Sequence, residues 1–176
     1  MKKYLMSTII FVVLGIVIAF KIYPTPYREW VDYISNYYEV DPLLVYAIIQ
    51  TESGFDKNAI SRSGAKGLMQ IMDRTGQWGA EHCGYEYFTP KMLFEPDKNI
   101  HIGTWYISRL IKQYGGNLDT ALIAYNAGSG NVAKWRANTL YSKDGKTIDY
   151  IPFKETKEYV KKVKFHYKIY KLLYVE

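Results

Sequence analysis

Residues 41–54 read DPLLVYAIIQTESG, and this stretch decides the fold. Asp41 followed by Pro42 is a helix start: an acceptor side chain at the cap, then a residue whose φ is already helical. Residues 43–49 are apolar on every side, which predicts a helix buried inside a helical domain. Ser53-Gly54 ends it. One residue breaks the pattern. Glu52 lies four residues after Ile48 and seven after Val45, so all three share one face. A carboxylate on an apolar face is costly unless it is paired or protonated. It also sits in the last turn, where the negative end of the helix dipole disfavours ionisation. Both effects raise its pKa, as a general acid near neutral pH requires. From position alone, a salt-bridged glutamate or one at the rim of the core fits at least as well.

Helical signals continue on both sides. Thr25-Pro26 repeats the start pattern for a helix through about Tyr38. Gly64, Gly67, Gly76 and Gly79 predict turns around the apolar residues 68–72, with room for short strands. Thr89-Pro90 opens a short helical turn. Asp97 caps a long helix carrying Ile100, Gly103, Ile107, Leu110, Ile111 and Tyr114 at helical spacing, and Gly115-Gly116 ends it. Asn117 starts another, with Leu118, Ala121, Leu122 and Tyr125 on one face, stopped by Gly128 and Gly130. A polar loop covers residues 138–146. Thr156 caps the last helix, where Val160, Val163, Tyr167, Tyr170 and Tyr174 form one stripe. Lys157, Lys161, Lys164, Lys168 and Lys171 form another, read as a solvated face that can also meet anionic polymers or headgroups. The sum is a mainly α domain of about six to eight helices.

Composition narrows the classes. The chain has 176 residues, 48% hydrophobic and 16% aromatic, which excludes a disordered protein. One cysteine, Cys83, excludes a disulfide framework and a cysteine-rich zinc site. His82, His101 and His166 lack metal-site spacing, and no phosphate-binding glycine loop occurs. The charge of +6 is not gathered into a nucleic-acid motif.

The N-terminus is set apart. Lys2 and Lys3 precede residues 5–20, a run without charge. From Tyr4 to Tyr23 a helix would extend about 30 Å, just enough to span a bilayer. Residues 1–23 are therefore expected to be a membrane anchor, with the lysines inside the cell. A cleaved signal peptide is the alternative. Either way residues 24–176 form one exported domain.

Four blocks then appear in order. The first is Glu52-Ser53-Gly54-Phe55-Asp56, with Ala59, Ser61, Gly64-Ala65-Lys66-Gly67-Leu68-Met69-Gln70-Ile71-Met72 and Thr75. The second is Asn99-Ile100 with Gly103 and Tyr106. The third runs from Ala121 through Tyr125-Asn126-Ala127-Gly128-Ser129-Gly130-Asn131-Val132 to Trp135. The last is Ile151-Pro152, Glu155-Thr156-Lys157, Tyr159-Val160 and Val163. Together they resemble the lytic transglycosylases of the soluble type. Ser129 and Asp73 stand where that family often has proline.

The resemblance implies a lysozyme-like fold of the goose-type class. It implies cleavage of the β-1,4 bond between N-acetylmuramic acid and N-acetylglucosamine in peptidoglycan. Glu52 becomes the single catalytic residue, and the muramic acid 6-hydroxyl closes a 1,6-anhydro ring. Ser61, Gly67, Gln70, Met72, Tyr125, Asn126 and Glu155 become substrate-binding residues. Without the family, Ser61 and Gly67 read as turn residues, Met72 and Tyr125 as core, Asn126 as a helix end, and Glu155 as a helix-start carboxylate. No metal or organic cofactor is implied, and the partners are glycan strands and the membrane. A substrate that supplies its own nucleophile needs no second carboxylate. Asp56 reads as a loop cap. A hydrolytic muramidase and a non-catalytic peptidoglycan-binding scaffold are the alternatives.

Overall fold

The computed structural model describes residues 2–174, except the side chains of residues 2–7, 9, 10 and 12. Its α-helices are α1 (Lys2–Ile22), α2 (Arg28–Tyr38), α3 (Pro42–Glu52), α4 (Asp73–His82), α5 (Pro96–Gln113), α6 (Leu118–Ala127), α7 (Ser129–Arg136) and α8 (Lys154–Tyr174). A 3-10 turn covers Pro90–Phe94. The mainly α class expected from the sequence is what forms. Between α3 and α4 the chain makes only the isolated bridges Ile60–Lys66 and Lys66–Ile71, so no strand develops among the described residues there.

The centre is α3. Asp41 accepts a hydrogen bond from the Leu43 N–H at 2.8 Å, and Pro42 occupies the first helical position. Val45, Ala47, Ile48 and Ile49 have no exposed surface. Each large aliphatic side chain so buried contributes about 1.5–3 kcal/mol. The helix packs chiefly along α8, whose Tyr159, Val160, Val163 and Tyr170 are buried, and along α2. The lysines of α8 are exposed. Lys161 pairs with Glu158 at 3.0 Å and Lys164 with Asp119 at 2.8 Å, consistent with a solvated face.

Several boundaries differ from expectation. α2 starts at Arg28, after Tyr27 in the left-handed region at φ 60°, instead of at Thr25-Pro26. α5 starts at Pro96, and Asp97 lies in its first turn instead of capping it. Thr156 is inside α8 and buried, where its hydroxyl donates to Asn126 Oδ1 at 2.8 Å.

Two helices were not foreseen. In α4, Gly76 and Gly79 are packing residues, not turns. A Cβ on Gly76 would lie 2.8 Å from the Phe88 ring, and one on Gly79 would lie 2.6 Å from Ile102. Asp73 and Ser129 are the first residues of α4 and α7. That is the helical position where proline is also favoured. Asp73 there accepts from Lys66 Nζ at 2.6 Å.

The segment between α3 and α4 is held by a buried amide. Asn99 Oδ1 accepts from the Met69 N–H at 2.8 Å, while Nδ2 donates to Lys66 O at 3.0 Å and Leu93 O at 2.7 Å. Ser53, just past α3, donates to Leu68 O at 2.8 Å. This network sets the position of the loop relative to Glu52.

At the other end of α8, two tyrosines and a histidine hold the chain just past α1. Tyr174 donates to Tyr23 O at 2.6 Å, Tyr170 donates to Pro24 O at 3.0 Å, and the Tyr23 hydroxyl meets His166 Nδ1 at 3.1 Å. Among the described residues no helix is long and apolar enough to cross a membrane. The anchor expected over residues 1–23 falls partly outside the described residues.

Candidate active site

α3 delivers Glu52 to a cleft of about 560 Å³. The loop that follows contributes Ser61, Arg62, Gln70 and Met72, α6 contributes Tyr125 and Asn126, and the first turn of α8 contributes Glu155. Burial pushes the Glu52 carboxyl up from 4.5 to about 8. Two neighbours modify this. The Tyr159 hydroxyl favours the ionised form, and the negative charge of Glu155 opposes it. The Tyr159 oxygen is buried and has no hydrogen-bond partner within bonding distance and angle. The outcome is an acid largely protonated at pH 7.

The remaining side chains are fixed by the backbone around them. Ser61 holds a turn, its hydroxyl accepting from the Ala65 N–H at 2.9 Å, and also lines the cleft. The turn reading of that serine holds, and the same residue stands at the cleft wall. Gln70 has a left-handed backbone at φ 48°, and its amide nitrogen donates to Gly67 O at 2.9 Å and Ala59 O at 3.2 Å. Its Oε1 is left as an acceptor. Met72 is 44% exposed, which makes it cleft wall and not core filling. The Tyr125 hydroxyl donates to Met69 O at 2.8 Å, and the Glu52 charge helps burial push its pKa well up. Asp56 is exposed and accepts from the Asn58 N–H at 2.9 Å, a local turn cap.

Gly67 stands apart from the other predicted site residues. It is buried and does not line the cleft. Its close approach is to Leu93 and Asn99: an added Cβ would lie 2.0 Å from Leu93 O. The physical need is internal packing of the loop, not contact with a ligand.

Tyr159 and Arg62 were not assigned a role from the sequence. Tyr159 was legible as a member of the fourth block, without a role attached to it. Arg62 carried no signal beyond its place in a turn. Among the described residues, no group of three His, Cys, Asp or Glu side chains could hold a metal. Cys83 belongs elsewhere: its sulfur lies 3.6 Å from the Tyr38 hydroxyl, and burial pushes the thiol up to about 11.

This arrangement sets one half-buried carboxyl of raised pKa in a cleft lined by polar side chains. The Transglycosylase SLT domain profile matches residues 29–148, and the chain belongs to that family. The chain is 35% identical to the soluble lytic murein transglycosylase of Salmonella typhimurium over 143 residues, 80% of this chain and 22% of that protein. It is 38% identical to the membrane-bound lytic murein transglycosylase C of Edwardsiella ictaluri over 124 residues, 61% of this chain and 33% of that protein. The fold is similar to the 70 kDa soluble lytic transglycosylase of Escherichia coli, with TM-score 0.79, 30% identity, and coverage of 90% of this chain and 26% of that one. It is also similar to an inactive mutant of the lytic transglycosylase Slt from Pseudomonas aeruginosa, with TM-score 0.74, 31% identity, and coverage of 85% and 24%. The chain thus spans about a fifth to a third of the length of these relatives.

Proposed function

We propose that the domain is a peptidoglycan lytic transglycosylase. It cleaves the β-1,4 bond between N-acetylmuramic acid and N-acetylglucosamine and leaves 1,6-anhydromuramic acid ends. The observation that carries this reading is Glu52, a carboxyl held largely protonated inside a cleft. Glu52 gives its proton to the bridging oxygen as the bond from C1 to that oxygen breaks. Its carboxylate then takes the proton of the muramic acid 6-hydroxyl, whose oxygen bonds to C1 and closes the second ring. Glu52 ends protonated, and no water is consumed. An attacking hydroxyl already on the sugar has a high effective molarity when the ring is held still. Ser61, Gln70, Met72, Tyr125 and Asn126 are the residues that hold it.

A hydrolytic second reading has one observation in its favour: Glu155 lines the same cleft. It would have to activate a water, as the second carboxylate of a hydrolase does. Its exposed position leaves it in ordinary solvent and argues for a modulating role instead.

The pH dependence tests the assignment. Protonated Glu52 is the active form, so kcat/KM for release of soluble fragments is expected to fall about tenfold per pH unit above about pH 8. Glu155→Gln removes a like charge, makes Glu52 easier to ionise, and moves this limb to lower pH. Activity unchanged well above pH 9 would exclude Glu52 as the acid.

We also propose that residues 1–23 tether the domain to the membrane, with the catalytic part outside the cytoplasm. The uncharged run of residues 5–20 and the exposed apolar side chains of α1, such as Phe11, Leu14 and Val17, support this. The full chain is expected to stay with membranes through an alkaline wash. Recovery as a shortened soluble protein would instead show a cleaved signal.

A further inference from the structure

The cleft continues past Glu52. Its residues Gln70, Met72, Tyr125 and Asn126 also line a smaller hollow that reaches Thr75 and Tyr106. Thr75 and Tyr106 in turn line a third space of about 710 Å³. The three spaces adjoin in series through these shared walls, and the far one has a chemistry of its own.

Arg74, Trp78 and Glu81 are spaced four and three residues apart on α4, so they share one helix face along the far space. Seven residues of helix separate the two charges by about 10 Å along the axis. Both side chains are exposed, and neither makes an ion pair among the described residues. The Trp78 ring between them is already engaged. The Arg109 guanidinium lies over it at 4.6 Å, and Trp105 and His82 meet it at interplanar angles of 81° and 80°. A pyranose platform needs an open aromatic face on which sugar C–H groups can stack. This ring offers mainly an edge, flanked by opposite charges.

Such a wall matches a ligand carrying both a carboxylate and an ammonium, joined by a short apolar stretch. Charge-assisted hydrogen bonds to Arg and Glu would fix its two ends. A neutral glycan has neither charge. The peptide substituents of a peptidoglycan strand have both.

We propose that the Arg74–Trp78–Glu81 face of α4 binds the peptide substituent of the glycan strand whose sugar lies at Glu52. Arg74 receives a peptide carboxylate, Glu81 receives a side-chain amine, and Trp78 packs against the apolar residue between them. This rests on the peptidoglycan reading of the Glu52 cleft.

The test compares the full chain on two substrates: purified strands with intact peptides, and the same strands stripped by an amidase. The readout is the ratio of kcat/KM on the two. The wild-type ratio is expected to favour peptide-bearing strands by about tenfold, the scale of a pair of charge-assisted contacts. Arg74→Ala and Glu81→Gln are each expected to bring the ratio toward one, and Arg74→Lys to restore part of it. A wild-type ratio of one, or a preference that survives in both variants, overturns the proposal. Either result with cleavage still dependent on Glu52 leaves the cleft reading intact. Equal cleavage by wild type and Glu52→Gln on both substrates would overturn the cleft reading itself.

Discussion

Replacing Glu52 with Gln is expected to lower strand cleavage by about 10³-fold or more while leaving a folded protein that still binds peptidoglycan. Gln keeps the shape and the hydrogen-bonding capacity of the side chain but has no proton to give and no carboxylate to take one back. A single residue serving as acid and then base loses both roles in one substitution. The same variant should be more stable than the wild type at neutral pH. Burial raises Glu52 from 4.5 to about 8 in the folded protein. Between those values the folded state holds a proton that the unfolded chain has released. The Glu52 contribution therefore becomes steadily less favourable as pH rises from about 4.5 to about 8. Gln has no such term. The variant is expected to gain on the order of 2 kcal/mol at pH 7 and nothing below about pH 4, read from urea unfolding at both pH values. A variant that loses binding and activity equally, or that gains no stability, contradicts the picture of a desolvated catalytic acid.

The second large effect lies outside the cleft. Gly67 has φ +74°, and a Cβ there would sit 2.0 Å from Leu93 O and 2.4 Å from Asn99 Nδ2. Neither neighbour can move freely, since each takes part in the buried hydrogen bond from Asn99 to Leu93 O at 2.7 Å. Gly67→Ala combines a left-handed backbone penalty with a collision, and is expected to cost about 3–5 kcal/mol. Gly64 provides the control. It has φ +87° but nothing within 4 Å of a Cβ position, so Gly64→Ala is expected to cost only about 1–2 kcal/mol. Chemical denaturation of the two variants separates packing from backbone strain. Equal losses would mean that the contact with Leu93 and Asn99 is unimportant.

The contrast between these glycines shows what the sequence could and could not convey. The helix from Pro42 to Glu52 was legible because an N-cap, a proline and an all-apolar run agree, and because its one charged residue stands out. The last helix was legible from its stripes. α4 was missed because Gly76 and Gly79 look like turn residues, while their purpose is to let α4 approach Phe88 and Ile102. That need depends on residues distant in the chain. α7 was hidden for a different reason: Gly128 caps it and Gly130 lies inside it, and neither has a neighbour within 4 Å of a Cβ position. At the site, Glu52, Ser61, Gln70, Met72, Tyr125, Asn126 and Glu155 come together around one cleft. Gly67 does not line it, although it belongs to the same sequence block. A motif groups residues by position, and cannot tell those that face a ligand from those that hold the loop from behind. Asn99 illustrates the second kind: its three hydrogen bonds reach Leu93 nearby and Met69 and Lys66 at 30 and 33 residues' distance along the chain. Nothing local in the sequence announces them.

The chemical form of the released ends tests the single-acid mechanism most directly. Purified peptidoglycan digested by the full chain, with Glu52→Gln alongside, would be analysed by mass spectrometry. The prediction is fragments whose muramic acid ends are lighter by one water than the hydrolysed sugar, absent with the variant. Ordinary reducing ends that also vanish with the variant would contradict it, and would mean that water attacks C1 with the help of a second group in the cleft.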